Sequence, residues 1–272
     1  MNRISEMLTK LIKGPDENNP DDPLWSRLPT TALLCIYQNL GDLDRLSMAR
    51  VCKPWYQSFH VPALWRYRLI EFGETRSKRE IKEDALFKSK RALTNSYGKY
   101  AIEFAKRFPT SLQDIEIEFL PLRGRDGREI VNDFKEFSAC LDNSKLRSIS
   151  ILSLVHLSSL DTFVGQLRID LIYSLKTLLQ KQHCLKKVRI CSSHFDLESG
   201  LQFLQCLADA SAATIKELFM YGLFQRGTPI FGEGRILTEL QKFKSLSCIK
   251  LEYDIMSDEL AKTWVRGCPN LS

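Results

Sequence analysis

The residue types able to do chemistry are few, and their spacing decides what they can do. His183-Cys184 and Cys191-x-x-His194 bring two histidines and two cysteines close together in the chain, and zinc takes such nitrogen and sulfur donors. Neither pair has zinc-finger spacing, and the stretch between them, Leu185 to Ile190, reads as a strand that holds the two cysteines at opposite ends. No metal is expected there. His60 and His156 lack a sequence neighbour that would complete a nucleophile–base–carboxylate set. Gly232-Glu-Gly234, ahead of a helical pattern, has the makings of a phosphate cradle, and Gly124-Arg-Asp-Gly127 has a similar look; both read as turns. A transferase that carries a thioester needs an exposed, activated cysteine. The eight cysteines form no C-x-x-C pair and mostly interrupt apolar patterns, the usage of small hydrophobes in a reducing compartment. No catalytic residue, cofactor or metal is expected, and the chain reads as a non-enzyme.

Those residues sit in 272 residues, of which 44% are apolar and 10% aromatic, enough to bury a core. No apolar run approaches a membrane span; Ile149 to Leu157 is short and broken by Ser and His. Met1 to Ile12 mixes Arg3, Glu6 and Lys10 with its apolar residues, unlike a signal peptide. The net charge of +6 is uneven: −2 over 1–23, +3 over 24–72, +5 over 73–111 and zero over 112–272. A nucleic-acid reader concentrates basic charge on its recognition surface, whereas the larger part here is neutral. Arg76-Ser-Lys-Arg79 and Lys88-Ser-Lys-Arg91 are interrupted by Glu80, Glu83 and Asp84, as on a solvated helix face. Neither a nucleic acid nor a membrane is expected as a partner.

The chain divides into four regions. Residues 1–23 form a flexible tail, in which Ile4, Met7, Leu8, Leu11 and Ile12 are spaced for a short amphipathic helix ended by Gly14-Pro15. Residues 24–72 are compact and helical, residues 73–111 a charged helical linker stopped by Pro109, and 112–272 repeat. The repeat has apolar residues at positions 1, 4 and 6: Leu112-x-x-Ile115-x-Ile117, Leu146-x-x-Ile149-x-Ile151, Leu185-x-x-Val188-x-Ile190, Ile215-x-x-Leu218-x-Met220 and Leu246-x-x-Ile249-x-Leu251. Successive starts are 34, 39, 30 and 31 residues apart. Alternation of this kind makes a half-buried strand. Helical patterns fill the gaps, carried by Ile130, Phe134 and Phe137, then Leu167, Leu171 and Leu175, then Leu201, Leu204 and Leu207, then Ile236 and Leu240. A last helix is expected from Ser257, its N-cap, to near Gly267, with Leu260 and Trp264 on one face. One strand plus one helix per repeat is a solenoid signature. The array resembles leucine-rich repeats of the irregular, long kind, although most repeats lack the usual Asn after the strand. Leu271 starts what would be a sixth strand, so the chain reads as a truncated form or fragment of a longer protein. The fold class expected is α/β: three helices, then a solenoid.

Residues 24–72 imply three short helices, one after Leu28-Pro29, one after Asp42 and one around Pro54-Trp55. Leu28, Leu33, Ile36, Tyr37, Leu40, Leu43, Leu46, Val51, Trp55, Phe59, Leu64 and Trp65 are more apolar surface than so small a segment can bury by itself. Either a partner or the chain's own repeats must cover the excess. The residue order, Leu28-Pro29-(x6)-Ile36-Tyr37-(x2)-Leu40-(x10)-Val51-Cys52-(x2)-Trp55-(x8)-Leu64-Trp65, closely resembles the F-box. Thr31 stands where many F-boxes have Glu, and Arg45 where Leu is common, with Leu46 next door.

An F-box with leucine-rich repeats after it resembles the substrate receptors of Skp–cullin–F-box ubiquitin ligases. The resemblance implies that Leu28, Pro29, Ile36, Leu40, Val51 and Trp55 dock the Skp adaptor, which brings a cullin scaffold. It implies further that Leu64-Trp65 packs the F-box against the next segment of the chain and that the repeats bind a protein cargo for ubiquitination in the cytoplasm, the nucleus or both. The alternative is a scaffold that binds the adaptor without turnover of any cargo. Strand residues flanking the central apolar position would face the cargo: Asp114 and Glu116 as an acidic start, Lys187 and Arg189 as a basic middle, Phe219 and Tyr221 as an aromatic end.

Overall fold

Proline opens most of the helical turns at the amino-terminal end. Pro29 caps the first helix, α1 (Thr30–Gln38); Pro54 lies in the first turn of α3 (Lys53–Phe59); and Pro62 begins a 3-10 turn, Pro62–Trp65. The ring fixes φ where a helix must start and gives up an N–H that has no partner there anyway. Between these, α2 (Asp42–Met48) comes after Gly41, and another 3-10 turn, Leu24–Arg27, precedes α1. Helices of seven to nine residues do not persist alone. They hold because Leu33, Tyr37, Ala49, Trp55, Phe59, Leu64 and Trp65 bury one another.

The computed structural model describes residues 24–73, 95–120, 127–142, 144–157, 164–225, 234–251 and 262. They fall into two compact units, divided between Tyr67 and Arg68, with 96 onward in the second. No helix among the described residues is long and apolar enough to cross a membrane.

The second unit is a seven-stranded sheet in the order β2-β1-β3-β4-β5-β6-β7. The strands are β1 (Tyr67–Phe72), β2 (Asn95–Tyr97), β3 (Asp114–Phe119), β4 (Ser148–Leu152), β5 (Lys187–Cys191), β6 (Glu217–Tyr221) and β7 (Cys248–Leu251). Helices α4 (Gly98–Arg107), α5 (Gly127–Cys140), α6 (Val164–Gln180), α7 (Leu197–Ser211) and α8 (Gly234–Leu240) alternate with them, and each helix packs against the next. From β3 to β7 every neighbouring pair is parallel and in step, so that Ile115, Ile149, Val188, Leu218 and Ile249 stand in one row and Ile117, Ile151, Ile190, Met220 and Leu251 in another. Both rows join the helix residues Ile130, Phe134, Leu175, Leu204 and Leu240 in one continuous core.

The sheet starts earlier in the chain than the repeat beginning at Leu112. β1 lies in the segment assigned to the F-box and β2 in the segment assigned to a helical linker. β1 escaped notice because Leu69, Ile70 and Phe72 are buried together with Arg68 and Glu71, and a strand buried on both faces has no period-two alternation. The linker's described part is Gly73 and residues 95–111, which carry β2 and α4; the rest of it lies outside the described residues, as do the tail, the helix expected from Ser257 (Lys262 apart) and the strand expected at Leu271.

Polar side chains stitch the helix-to-strand corners. Gln182 is 1% exposed; its Oε1 accepts from the Leu146 backbone N–H at 3.2 Å and its Nε2 donates to the Leu141 carbonyl at 3.2 Å. The Ser211 hydroxyl donates to the Gln182 carbonyl, Thr214 to the Leu185 carbonyl at 2.7 Å and Ser245 to the Ala213 carbonyl at 2.7 Å. At the other end of the strands, Ser153, Ser192 and Gly222 take φ of 60°, 54° and 62°, each one residue past its strand. Ser153 N–H then donates to Cys191 and Ser192 N–H to Tyr221. Buried Cys206 on α7 donates its thiol to the Lys176 carbonyl at 3.3 Å, and burial pushes its pKa up to about 11.

This packing makes two substitutions informative. A Cβ on Gly200 in α7 would collide with the Phe224 ring, so Gly200→Ala is expected to destabilise by about 1–3 kcal/mol through overpacking; Gly165→Ala in α6, with nothing within 4 Å, is the clash-free control and should leave stability unchanged or raise it by up to about 1 kcal/mol in the same urea titration. Asp196 caps α7 by accepting from the Ser199 backbone N–H at 2.8 Å. Burial raises its pKa, but the bonds from Ser199 outweigh that and hold it below the usual carboxylate range. Its folded pKa is therefore depressed, so the cap stabilises above the unfolded pKa and fails as pH falls through the folded value. Asp196→Ala should cost about 1 kcal/mol at neutral pH and progressively less on acidification; equal cost at neutral and strongly acidic pH would contradict it.

Candidate functional site

In the helical unit the aromatic residues build a frame rather than a surface. Tyr37 is 0% exposed and donates its hydroxyl to the Trp55 carbonyl at 2.9 Å. Its ring meets Trp55 edge-on at 6.3 Å and Phe59 at 6.2 Å. Burial, with a smaller contribution from Cys52, raises the Tyr37 pKa. Trp65 donates its indole N–H to the Phe59 carbonyl at 2.6 Å and stands edge-on to that ring at 4.9 Å. Arg45 closes the frame: 3% exposed, it donates from Nε to the Tyr37 carbonyl at 2.9 Å, with its guanidinium 5.4 Å from the Trp65 ring centre. Sequence reasoning treats Arg45 as a departure from the motif and misses this role, since no local pattern marks an arginine that ties the end of α1 to a tryptophan 20 residues on.

The six residues implied for adaptor docking divide accordingly. Val51 and Pro29 are exposed, and Leu28, Ile36 and Leu40 are partly so. Trp55 is 8% exposed, and its ring packs within the unit's own frame. Leu46, next to the buried Arg45, is 36% exposed. Leu64 and Trp65 are buried, and the indole bond and ring contact of Trp65 to Phe59 lie within the helical unit.

In the sheet unit the six residues expected to face cargo do lie on one face, opposite the core rows. Asp114, Ser148, Lys187, Glu217 and Cys248 form its first row, Glu116, Ser150, Arg189, Phe219 and Lys250 its second, and Glu118, Leu152, Cys191 and Tyr221 its third. Lys187 is less free than its type implies, since it pairs with Glu217 at 2.7 Å and lies 5.1 Å from the centre of Phe219. Lys250, absent from the expected set, lies on the same ring at 5.4 Å. Its signal is its position, one residue past Ile249 in the repeat. Arg189 is exposed; a bond to the Cys191 side chain raises its pKa despite some desolvation. Glu116 is mostly buried.

Among the described residues no group of three or more His, Cys, Asp or Glu is arranged to hold a metal. His183 Nδ1 lies 3.3 Å from the Ala210 carbonyl, Cys184 is exposed, and Gly127 and Gly234 simply begin α5 and α8.

Residues 25–71, the frame of three helices with its two 3-10 turns, match the F-box-like family model. The chain is 34% identical over 89 residues to F-box/LRR-repeat protein 21 of Ovis aries, which covers 27% of this chain and 20% of that protein. It is 37% identical over 51 residues to the proteins of the same name in Bos taurus and Mus musculus, covering 19% of this chain and 12% of each. The chain thus spans a fifth or less of the curated relatives it matches. Together these likenesses support an F-box protein with mixed helix and strand.

The frame yields its own prediction. Tyr37→Phe removes one hydroxyl and leaves the buried Trp55 carbonyl without that donor, which should cost roughly 1–3 kcal/mol. Near-UV circular dichroism on urea titration reads it through the tryptophans, and an unchanged midpoint would show that the bond carries no net stability.

Proposed function

We propose that the chain is a non-catalytic substrate-recognition subunit of a Skp–cullin–F-box ubiquitin ligase. Its F-box docks the Skp adaptor, the adaptor brings the cullin, and the strand–helix array holds a protein cargo for ubiquitination in the cytoplasm, the nucleus or both. We read that array as an irregular leucine-rich-repeat solenoid, on the strength of five in-step parallel strands separated by helices. The strings Leu40-Gly-Asp-x-Asp-Arg45 and Leu64-Trp-Arg-Tyr-Arg68 are, in addition, similar to F-box only protein 39. The observation that carries the proposal is the division of apolar side chains within the F-box. Tyr37, Trp55, Phe59 and Trp65 satisfy one another inside, while Leu46 and Val51 remain 36% and 44% exposed and Leu28, Ile36 and Leu40 are only partly covered. Apolar residues left uncovered on a unit whose core is complete favour docking of a partner.

Leu28→Ala with Pro29→Ala is expected to abolish capture of the Skp adaptor from purified components, because truncated interface anchors typically cost about 2 kcal/mol or more. Trp55→Ala should instead unfold the F-box. Undiminished adaptor capture by the folded double variant sinks the proposal. Cargo trapped by the same variant should accumulate in cells depleted of the wild-type chain; cargo that is bound but never stabilised would mark a scaffold without turnover.

A further inference from the structure

The basic end of the outer sheet face differs from the rest of it in what its charges already touch. Across β5, β6 and β7 one row reads Arg189, Phe219, Lys250, and Ser150 on β4 adjoins Arg189. Lys187 is held by Glu217 at 2.7 Å. Among the described residues neither Arg189 nor Lys250 forms an ion pair; Glu116 lies two strands from Arg189 in the same row, and Lys250 lies over Phe219. Ser150 is 8% exposed, and among the described residues its buried hydroxyl has no hydrogen-bond partner. A buried hydroxyl left in that state costs free energy that a ligand oxygen could return. Two cations without a carboxylate, a recessed hydroxyl and an aromatic ring therefore meet on adjacent strands.

From this juxtaposition we infer that the Ser150–Arg189–Phe219–Lys250 row binds an unmodified acidic segment of a partner protein, with two carboxylates four residues apart and an apolar side chain midway between them. The inference rests on the reading of this face as the cargo surface and names the chemistry it selects. The spacing comes from the sheet. Arg189 and Lys250 lie two strands apart, about 10 Å; in an extended chain only every second side chain shares a face, so the first, third and fifth residues span about 13 Å, a difference the long Glu, Arg and Lys side chains take up. One carboxylate reaches Arg189 and the Ser150 hydroxyl, the other reaches Lys250, and the intervening side chain covers Phe219. Two separate single charges suit two carboxylates better than one compact phosphate dianion. A nucleic acid fits worse, because its continuous phosphate backbone would run on past Ser150 over Asp114, Glu116 and Glu118 at the β3 end of the same face, whereas the acidic segment meets that end with one carboxylate that Arg189 neutralises.

The test uses the full chain and a fluorescein-labelled peptide with Glu-Gly-Leu-Gly-Glu at the centre of a Gly-Ser frame. Companions carry Gln for both Glu, or a single phosphoserine, and a short oligothymidylate serves as competitor. Fluorescence anisotropy should show the acidic peptide binding roughly tenfold or more tightly than the Gln peptide. Arg189→Glu and Lys250→Glu should each weaken it roughly tenfold, the order expected when an attractive pair is made repulsive. Ser150→Ala should weaken it a few-fold, all with unchanged circular dichroism. Equal binding of the acidic and Gln peptides, binding of the phosphoserine peptide alone, or displacement by the oligothymidylate overturns the inference. An unbiased peptide array separates that failure from a deeper one. Neutral or basic array peptides that are lost on Tyr221→Ala would leave the cargo face standing and discard only the acidic ligand. Array binding that no variant on this face disturbs would remove the cargo face itself, and the inference with it.

Discussion

Everything on the outer face of the sheet depends on one constraint, the zero-slip register between successive parallel strands. Asp114, Ser148, Lys187, Glu217 and Cys248 align although the loops and helices between them differ in length. A shift of a single residue at any step would turn a strand's polar set inward and its isoleucines outward. The register is enforced from below, since Ile149, Val188 and Leu218 are each 0% exposed and have nowhere else to go. Function on such a surface is therefore written by pairs of residues that are far apart in sequence and one strand apart in space.

A helix that returns the chain to the next strand must also end, and its last carbonyls need donors. The corners solve this with whichever polar side chain is to hand: Gln182 at one, Ser211 and Thr214 at the next, Ser245 at the third. Because each bond crosses from one strand–helix unit to its neighbour, the polar corner and the apolar core stabilise the same stacking.

Much of this was legible in the sequence, where the physics is local. The positions of the three F-box helices could be read from Pro29, Gly41-Asp42 and Pro54. The strands could be read from apolar alternation at Ile115 and Ile117, Ile149 and Ile151, and onward. What escaped was non-local. β1 is buried on both faces and so lost its alternation. Arg45 acts through a tryptophan far along the chain. The packing of Trp55 within its own unit's frame was not marked, because exposure cannot be read from residue type. The strand-end turns were hidden because only Gly222 advertises a left-handed backbone, while Ser153 and Ser192 adopt it without announcing it.

Cys206 turns the packing of α6 on α7 into something that can be timed. Its thiol is bonded to the Lys176 carbonyl and kept protonated by burial, so it is chemically silent while those helices stay together, whereas Cys184 stands exposed. Alkylation needs the thiolate and access to it. The two cysteines thus form a native stopwatch, one hand started by mixing with reagent and the other only by separation of the helices, and the lag between them measures how long this part of the array stays shut.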